Sequence, residues 1–318
     1  MTSGADSKAK SPIIQDPAVL DLEFCGHGET IASALLIGDG EVALVDGGPS
    51  SCLPALRARL AKHGLRVADI TALLLTHIHF DHAGATGSLV RENPKLRVYV
   101  HEIGARHLAD PQKLLSSASR LYGDALYSIF GEFLPVPAEN IHALRGGETF
   151  RAAGRNFEVA YTPGHAQHHV SYFDEATGTA FTGDTTGLRM PNFSVVAPLA
   201  PPPDIDLAAW DRSLAEIERR RPSQLFLTHF GPFANVGEHL NATREGLHRW
   251  AERANSILAS AATEDERTLR FVQESEDEYR AQLPAAVAAK YAGEANATLS
   301  WYGLSRYWRK RAERAPEK

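Results

Sequence analysis

Histidine and aspartate side chains are concentrated in residues 76–82 of this 318-residue sequence, which read Thr-His-Ile-His-Phe-Asp-His. Alternate side chains of an extended segment lie on the same face, so His77 and His79 can converge on one point. Asp81 and His82 follow where the chain turns into Ala-Gly-Ala, and they can be directed at a neighbouring point. Imidazole and carboxylate groups at this spacing are typical of a metal site.

Three further segments repeat this plan, each with a short apolar or aromatic run, a threonine, and a His or Asp within three residues. They deliver His165, Asp184 and His229. Short apolar runs of this kind indicate buried strands, so we expect four ligand-bearing loops to leave four strand ends in the same chain sense. This repetition disfavours the alternative, a surface turn that happens to be rich in histidine. The absence of a thiolate among these residues favours Zn, Fe, Mn or Co over an iron–sulfur cluster or Cu(I).

These motifs resemble those of the metallo-β-lactamase superfamily. The His-x-His-x-Asp-His signature of that family is present at residues 77–82, followed by Thr-Pro-Gly-His, Thr-Gly-Asp and Thr-His-Phe-Gly-Pro. A strand ending in Asp-Gly, an earlier element of the family, corresponds to the segment that contains Asp46. The residues that match the metal ligands of the family are His77, His79, Asp81, His82, His165, Asp184 and His229.

The resemblance implies an α+β fold, a four-layer αββα sandwich of two mixed sheets with helices outside. It also implies two divalent metal ions, with Zn as the first choice and Fe or Mn as alternatives. In the family pattern Asp184 bridges the two ions. The first ion is then held by His77, His79 and His165. The second ion is then held by Asp81, His82 and His229.

The chemistry implied by the resemblance is hydrolysis. A hydroxide that bridges the two ions attacks the carbonyl carbon of an ester, thioester or lactone, and the metals stabilise the developing oxyanion. Asp81 is the expected catalytic residue, which orients that water or accepts its proton. The β-lactamases of the superfamily lack the bridging carboxylate, so Asp184 argues against antibiotic hydrolysis. The glutathione-binding residues of glyoxalase II are not recognisable in the sequence.

An oxidoreductase is the alternative function. Persulfide dioxygenases resemble this ligand set but hold a single iron through two His and one Asp, with open positions for oxygen. A protein with a purely structural metal is disfavoured, because structural sites close with four ligands and this chain offers seven candidates.

Composition sets further limits. A net charge of −6 gives no electrostatic footprint for nucleic acid. The two cysteines, Cys25 and Cys52, either pair or, as we favour, remain free thiols in a reducing cytosol. Residues 1–10 have no apolar signal-peptide core, and nowhere are there about 18 consecutive apolar residues for a membrane span. We therefore expect a cytoplasmic protein that acts on a small-molecule substrate.

Hydrophobic periodicity divides the chain into three parts: a disordered tail at 1–17, the metallo-β-lactamase-like domain at 18–236, and a helical extension at 237–318. Within the domain, residues 102–140 are long for a connection and have helical periodicity, so we predict a helical insert. The proline-rich residues 188–203 are predicted to be irregular and to form part of the pocket rim. Residues 20–25 are predicted to be a strand, and residues 83–92 a helix whose first amides are capped by Asp81.

Several side chains have two interpretations. Asp46 either supports the ligand loop or caps a turn. His168 and His169 either contact the ligands or the substrate or, as we favour, are structural. Aromatic residues of the insert either line the pocket or, as we favour, pack the insert on the core; they are Tyr122, Tyr127 and Phe130. Those of the extension either pack on the core or form a homodimer contact; they are Trp301, Tyr302, Tyr307 and Trp308.

Overall fold

Two six-stranded sheets form the centre of the part of the chain described by the computed structural model, residues 16–294 and 296–314. Most of the predicted tail lies outside these residues. The first sheet contains, in spatial order, β1 (Ala18–Asp21), β2 (Ala32–Gly38), β3 (Glu41–Val45), β4 (Ala72–Leu74), β5 (Arg97–His101) and β6 (Ile141–Leu144). The pairs from β1 to β3 are antiparallel, and those from β3 to β6 are parallel.

The second sheet contains, in spatial order, β12 (Gly231–Phe233), β11 (Gln224–Leu227), β10 (Thr179–Phe181), β9 (Val170–Asp174), β8 (Arg155–Tyr161) and β7 (Thr149–Ala152). Its pairs are antiparallel except β10 with β11, which is parallel. Both sheets are therefore mixed, as the sequence predicts.

Alternation along the central strands explains why the sheets are covered on both faces. In β2 the side chain of Leu36 packs between the two sheets, whereas that of Leu35 packs on the outer side of the first sheet. In β4, likewise, Leu74 packs between the two sheets and Leu73 packs on the outer side of the first sheet. Since successive side chains of a strand point to opposite faces, a continuous apolar run produces a strand that is buried on both sides.

Helices cover the outer face of the first sheet. They are α1 (Leu53–Lys62), α2 (Phe80–Ala83), α3 (Thr86–Glu92) and, in the predicted insert, α4 (Glu102–Ala109), α5 (Gln112–Tyr122) and α6 (Leu126–Phe130). In α1 the buried residues Leu53, Leu56 and Leu60 recur at the spacing of one helix face.

The outer face of the second sheet is covered by α7 (Leu207–Arg220), α8 (Val236–Leu258), α9 (Glu264–Gln282), α10 (Ala285–Glu294) and α11 (Ala297–Glu313). Asp206 caps α7 by accepting from the amide of Ala209 at 2.9 Å. The apolar cluster of this layer includes Trp210 of α7 together with Trp250 and Trp301 of the extension. The predicted four-layer αββα sandwich with a helical extension is confirmed.

The extension packs on the proline-rich segment as well as on the sheet. A Cβ at Gly303 of α11 would lie 2.0 Å from the carbonyl oxygen of Ala200, so this helix approaches the segment more closely than any other residue type permits. Trp301 is fully buried, and Tyr307 and Trp308 pack against the same cluster. Packing on the core therefore accounts for these three aromatics, whereas Tyr302 is exposed.

Two local predictions are wrong. The strand predicted over residues 20–25 ends at Asp21, because Glu23 and Cys25 have φ values of 49° and 52°, which a strand cannot contain. The helix predicted over residues 83–92 is divided into α2 and α3, and α2 starts at Phe80, so Asp81 lies inside its first turn. Asp81 makes no capping hydrogen bond there. In the described ranges 16–294 and 296–314, no helix combines the length and apolar composition needed to cross a membrane.

Candidate metal centre

Four loops meet at one rim of the sandwich. Residues 75–82 follow β4 of the first sheet, and the loops after β8, β10 and β11 deliver His165, Asp184 and His229. Strands β8, β10 and β11 run in the same direction, because β9 is antiparallel to β8 and β10 while β10 pairs parallel with β11. The structure therefore brings together all seven predicted ligands.

Glycine permits the close approach of two of these loops. Gly183 has a φ of 46°, and a Cβ at this position would lie 2.5 Å from Thr76 Oγ1 and 2.7 Å from His169 Nε2. The Thr-Gly-Asp motif thus needs glycine for its backbone conformation and for contact with the loop after β4.

One set of side chains, here named the first ligand group, consists of His77, His79, His165 and Asp184. The Nδ1 atom of His79 lies 2.9 Å from Nε2 of His77 and 2.9 Å from Nε2 of His165. The Oδ2 atom of Asp184 lies 3.4 Å from Nε2 of His165 and 3.9 Å from Nε2 of His77. The ligand atoms all lie within 4.8 Å of one another, as atoms around one ion must.

A second ligand group consists of Asp81, His82, Asp184 and His229, again with its ligand atoms within 4.8 Å of one another. The Oδ1 atom of Asp184 lies 3.1 Å from Nε2 of His82 and 3.5 Å from Nε2 of His229. Asp81 Oδ2 lies 3.3 Å from Nε2 of His229 and 3.6 Å from Nε2 of His82. The two oxygens of Asp184 therefore face different groups.

Hydrogen bonds outside the groups fix the imidazole rings. Nδ1 of His165 lies 2.7 Å from the carbonyl oxygen of Leu199, and Nδ1 of His229 lies 2.8 Å from that of Thr30. A carbonyl oxygen can only accept, so each Nδ1 carries the proton and each Nε2 presents a lone pair to the centre. These acceptors are backbone atoms, and no side-chain pattern in the sequence marks them.

Asp46 is not a predicted ligand, but its hydrogen bonds connect the two ligand groups. Its buried carboxylate accepts from the amide of Thr76 at 2.8 Å and from the hydroxyl of Thr228 at 2.7 Å, and Nδ1 of His82 donates to it at 2.8 Å. The hydroxyl of Thr76 also donates to Asp46 at 2.8 Å, which leaves its oxygen to accept from Nδ1 of His77 at 3.1 Å. Of the two interpretations of Asp46, support of the ligand loop is the one the structure bears out.

The protonation of the two groups differs. Burial, followed by the neighbouring imidazoles, lowers the pKa of His77 well below its usual value, and burial lowers the pKa of His79 to about 3. In the second group burial opposes the charge on His82, but Asp184, Asp81 and Asp46 together raise its pKa well above the usual value. Burial opposes ionisation of Asp81 as well, yet His82 and His229 lower the pKa of this carboxyl to about 2.

The buried atoms at the centre fit a metal ion. Nε2 of His82, Nε2 of His229 and Oδ1 of Asp184 are buried without a hydrogen-bond partner. Buried polar atoms without partners are rare because each loses its hydration. A cation between these atoms satisfies all three, and imidazole with carboxylate is the donor set that Zn, Fe and Mn accept.

The centre opens into a cavity of about 670 Å³. His79, Asp81, Asp184 and His229 lie on its wall. Much of the remaining wall comes from the insert, from residues 199–204 and, in the extension, from Gly293, Asn296 and Leu299. Residues 24, 25 and 31, which precede β2, also line the cavity.

The structure distinguishes between the two interpretations of the histidines and aromatic residues. His168 lies on the cavity wall, whereas His169 packs against His77 with ring centroids 5.0 Å apart and its Nδ1 3.0 Å from Thr162 Oγ1. His169 therefore contacts a predicted ligand and has a buried Nε2 without a hydrogen-bond partner, whereas His168 faces the pocket. Tyr122 and Phe130 both line the cavity and pack against each other, with ring centroids 5.0 Å apart. The side chain of Tyr127 is 59% exposed and takes neither role.

A family model described as the metallo-beta-lactamase superfamily matches residues 27–229. This match covers more than half of the sequence, so the chain belongs to the metallo-β-lactamase superfamily. The crystal structure of the metallo-beta-lactamase family protein TTHA1429 from Thermus thermophilus superimposes with a TM-score of 0.67 at 25% identity, over 93% of this chain and 94% of that one.

Two curated relatives match a shorter stretch. The metallo-beta-lactamase fold-containing protein ST1585 of Sulfurisphaera tokodaii is 31% identical over 162 residues, 50% of this chain and 60% of that protein. A hydroxyacylglutathione hydrolase of Synechococcus sp. is 29% identical over 174 residues, 54% of this chain and 52% of that protein. The chain thus matches little more than half of the length of these relatives.

Proposed function

We propose that this protein is a metal-dependent hydrolase that holds two divalent ions, Zn in the first instance, and cleaves an ester, thioester or lactone. The observation that carries the proposal is Asp184, whose Oδ1 faces the second ligand group and whose Oδ2 faces the first. One carboxylate that faces two ligand groups supports a pair of neighbouring ions at this centre.

Bound ions at such a centre supply an activated water at neutral pH and a Lewis acid for the developing oxyanion. The chain supplies orientation. Asp81 is half-buried at the cavity wall and has a pKa of about 2, so it is ionised and accepts a hydrogen bond from the attacking water. A carboxylate with so low a pKa is a weak base, which favours the orienting role over proton abstraction.

His168 is the side chain that we assign to the substrate. Its Nδ1 lies 3.4 Å from the amide of Ile78, which can only donate, so the ring proton is on Nε2. Burial lowers the pKa of His168 well below the usual value, so the ring is neutral at pH 7. A neutral imidazole on the cavity wall then has one N–H to donate to a substrate oxygen.

The relatives support the reaction class. The similarity to a hydroxyacylglutathione hydrolase supports a thioester among the substrates. A further relative, from Methanocaldococcus jannaschii, is described as a probable metallo-hydrolase and is 29% identical over 164 residues, 52% of this chain and 71% of that protein.

The test combines metal analysis with a substrate panel. Protein prepared with Zn, Mn or Fe is analysed for metal content and assayed with p-nitrophenyl esters, S-acyl glutathiones, lactones and, as a control, phosphodiesters. We expect about two equivalents of metal per chain and hydrolysis confined to the carbonyl substrates. A single equivalent of Fe with oxygen uptake would replace the proposal by the oxidoreductase alternative, and a metal-loaded protein inactive on every carbonyl substrate would refute it.

A further inference from the structure

We infer that the cavity beside the metal centre binds an aliphatic acyl chain, so that the preferred substrates are esters or thioesters of medium- to long-chain fatty acids. This inference rests on the proposed hydrolase function, because it places the scissile carbonyl at the two ligand groups. It goes further by naming the group that fills the cavity.

The first observation is the apolar face of α5. Leu114, Ala118 and Leu121 line the cavity, and their spacing of four and three residues places them on one side of the helix. Ala118 is buried, Leu114 is half-buried and the side chain of Leu121 is 38% exposed. Part of this apolar face therefore remains uncovered by the protein and is available to an apolar ligand.

Apolar side chains from separate parts of the fold complete the wall. They come from the segment before β2, the ligand loop, α6, the proline-rich segment and α11, and they are Ile31, Ile78, Ile129, Leu199 and Leu299. The apolar surface is therefore contributed from several parts of the fold and is not a single strip along α5. Pockets of this kind bind the apolar part of a ligand and use a few polar groups for orientation.

Charge on the cavity wall is sparse outside the two ligand groups. Among the described lining residues, Lys113 is the one lysine or arginine, and Asp204 is the one carboxylate outside those groups. Lys113 is exposed and Asp204 is half-buried. A glutathione group carries two carboxylates and an ammonium, and it would find a single permanent cation here, whereas an alkyl chain needs no partner.

The physical expectation is a dependence on chain length. Each methylene group that enters apolar surroundings should raise kcat/KM by about two- to fourfold until the cavity is full. The acyl chain of the substrate is bound equally in the ground state and the transition state. The rise in kcat/KM should therefore appear as a lower KM with kcat nearly constant.

The experiment measures kcat and KM of the metal-loaded protein with p-nitrophenyl esters from acetate to dodecanoate, and with the matching thioesters of N-acetylcysteamine. The variant Leu121→Glu places a charge on the partly exposed cavity wall and should flatten the chain-length dependence, because it should lower kcat/KM more for the dodecanoate ester than for the acetate ester. The matched control is Leu269→Glu, because Leu269 is 70% exposed on α9 and is not among the cavity-lining residues. It should keep the wild-type dependence.

A second readout does not depend on turnover. The neutral fluorescent probe N-phenyl-1-naphthylamine should bind the metal-loaded protein, and straight-chain alcohols should displace it more effectively as they lengthen. Ala118→Leu should move the optimum to shorter alcohols. Probe binding without hydrolysis of any ester would refute the proposed function and, with it, the assignment of acyl esters as substrates, and would leave only an apolar binding site. Hydrolysis that is independent of chain length, preference for S-acyl glutathiones over the neutral thioesters, or failure of the probe to bind would overturn the inference alone.

Discussion

The first and second ligand groups share Asp184 but hold different amounts of charge. In the first group three imidazoles face one carboxylate oxygen, and the pKa values of all three, led by burial, are lowered. In the second group two carboxylates outweigh the effect of burial and raise the pKa values of His82 and His229. Neighbouring carboxylates therefore favour the charged form of the imidazoles in the second group, whereas burial favours the neutral form in the first.

The supports behind the groups differ as well. A backbone carbonyl, that of Leu199, fixes His165 of the first group, and the segment that carries it is held by the extension through the 3.2 Å hydrogen bond between the amide of Ala200 and Ser300. In the second group a carboxylate, Asp46, fixes His82. The extension therefore contributes to the support of His165 in the first group, whereas the direct support of His82 in the second group is a carboxylate inside the sandwich.

Removal of the shared carboxylate should have the greatest effect. Asp184→Ala takes one ligand from each group, so we expect loss of the second metal ion and a fall in kcat/KM of more than about 100-fold, beyond what loss of an outer partner produces. Metal analysis and steady-state kinetics measure both. Asp124→Ala, at an exposed aspartate of the insert, is the control. Two retained ions with full activity in Asp184→Ala would contradict the bridging role.

Loss of the Asp46 carboxylate, which supports His82 of the second group, should have the next largest effect. Asp46→Asn keeps the volume but turns one acceptor oxygen into a donor, although every group around Asp46 donates to it. We expect metal affinity to fall by about 10- to 100-fold, mainly for the second ion, because His82 loses its orienting partner. Competition with a chromophoric chelator measures both affinities, with Asp124→Asn as the control. Equal weakening of both ions would contradict the assignment of Asp46 mainly to the second group.

Much of this site is predictable from the sequence because ligand side chains need specific residue types at fixed distances from strand ends. Residues 76–82 and the threonine-led segments identify all seven members of the two groups, and a sandwich follows from the strands that carry them. Asp46 has two interpretations in sequence because a carboxylate after a strand serves equally as a turn cap. The hydrogen bonds that decide between them come from Thr76 and Thr228, far apart in the chain.

The supports and the local backbone are less predictable. The carbonyl groups of Thr30 and Leu199 accept hydrogen bonds from His229 and His165, and any residue type has such a carbonyl group. The residue types at these two positions therefore do not predict the hydrogen bonds. The break between α2 and α3 is also hard to predict, because the amide of Ala85 donates to the carbonyl of Gly48, a residue far away in the sequence. Tertiary packing overrides local propensity at such points.

The different charge of the two groups predicts different proton release on metal binding. The pKa of His82 is raised well above its usual value and that of His229 is raised, so the second group holds more protons in the metal-free protein than the first, and a metal ion must displace them. Affinity for the second ion should therefore fall as pH falls, by up to about tenfold per pH unit for each proton displaced. The imidazoles of the first group have lowered pKa values and are already neutral, so affinity for the first ion should change little over the same range.

Calorimetric titration with Zn in two buffers of different ionisation enthalpy counts these protons directly, because the released protons bind the buffer and add its enthalpy to the measured heat. One binding step should release protons and have a lower affinity at lower pH, and the other should release almost none. His63→Gln is the control, since His63 is exposed at the end of α1 and should leave both counts unchanged. Equal proton release in both steps would mean that the carboxylates of the second group do not hold protons on their imidazoles, and the contrast between the groups would then be one of geometry alone.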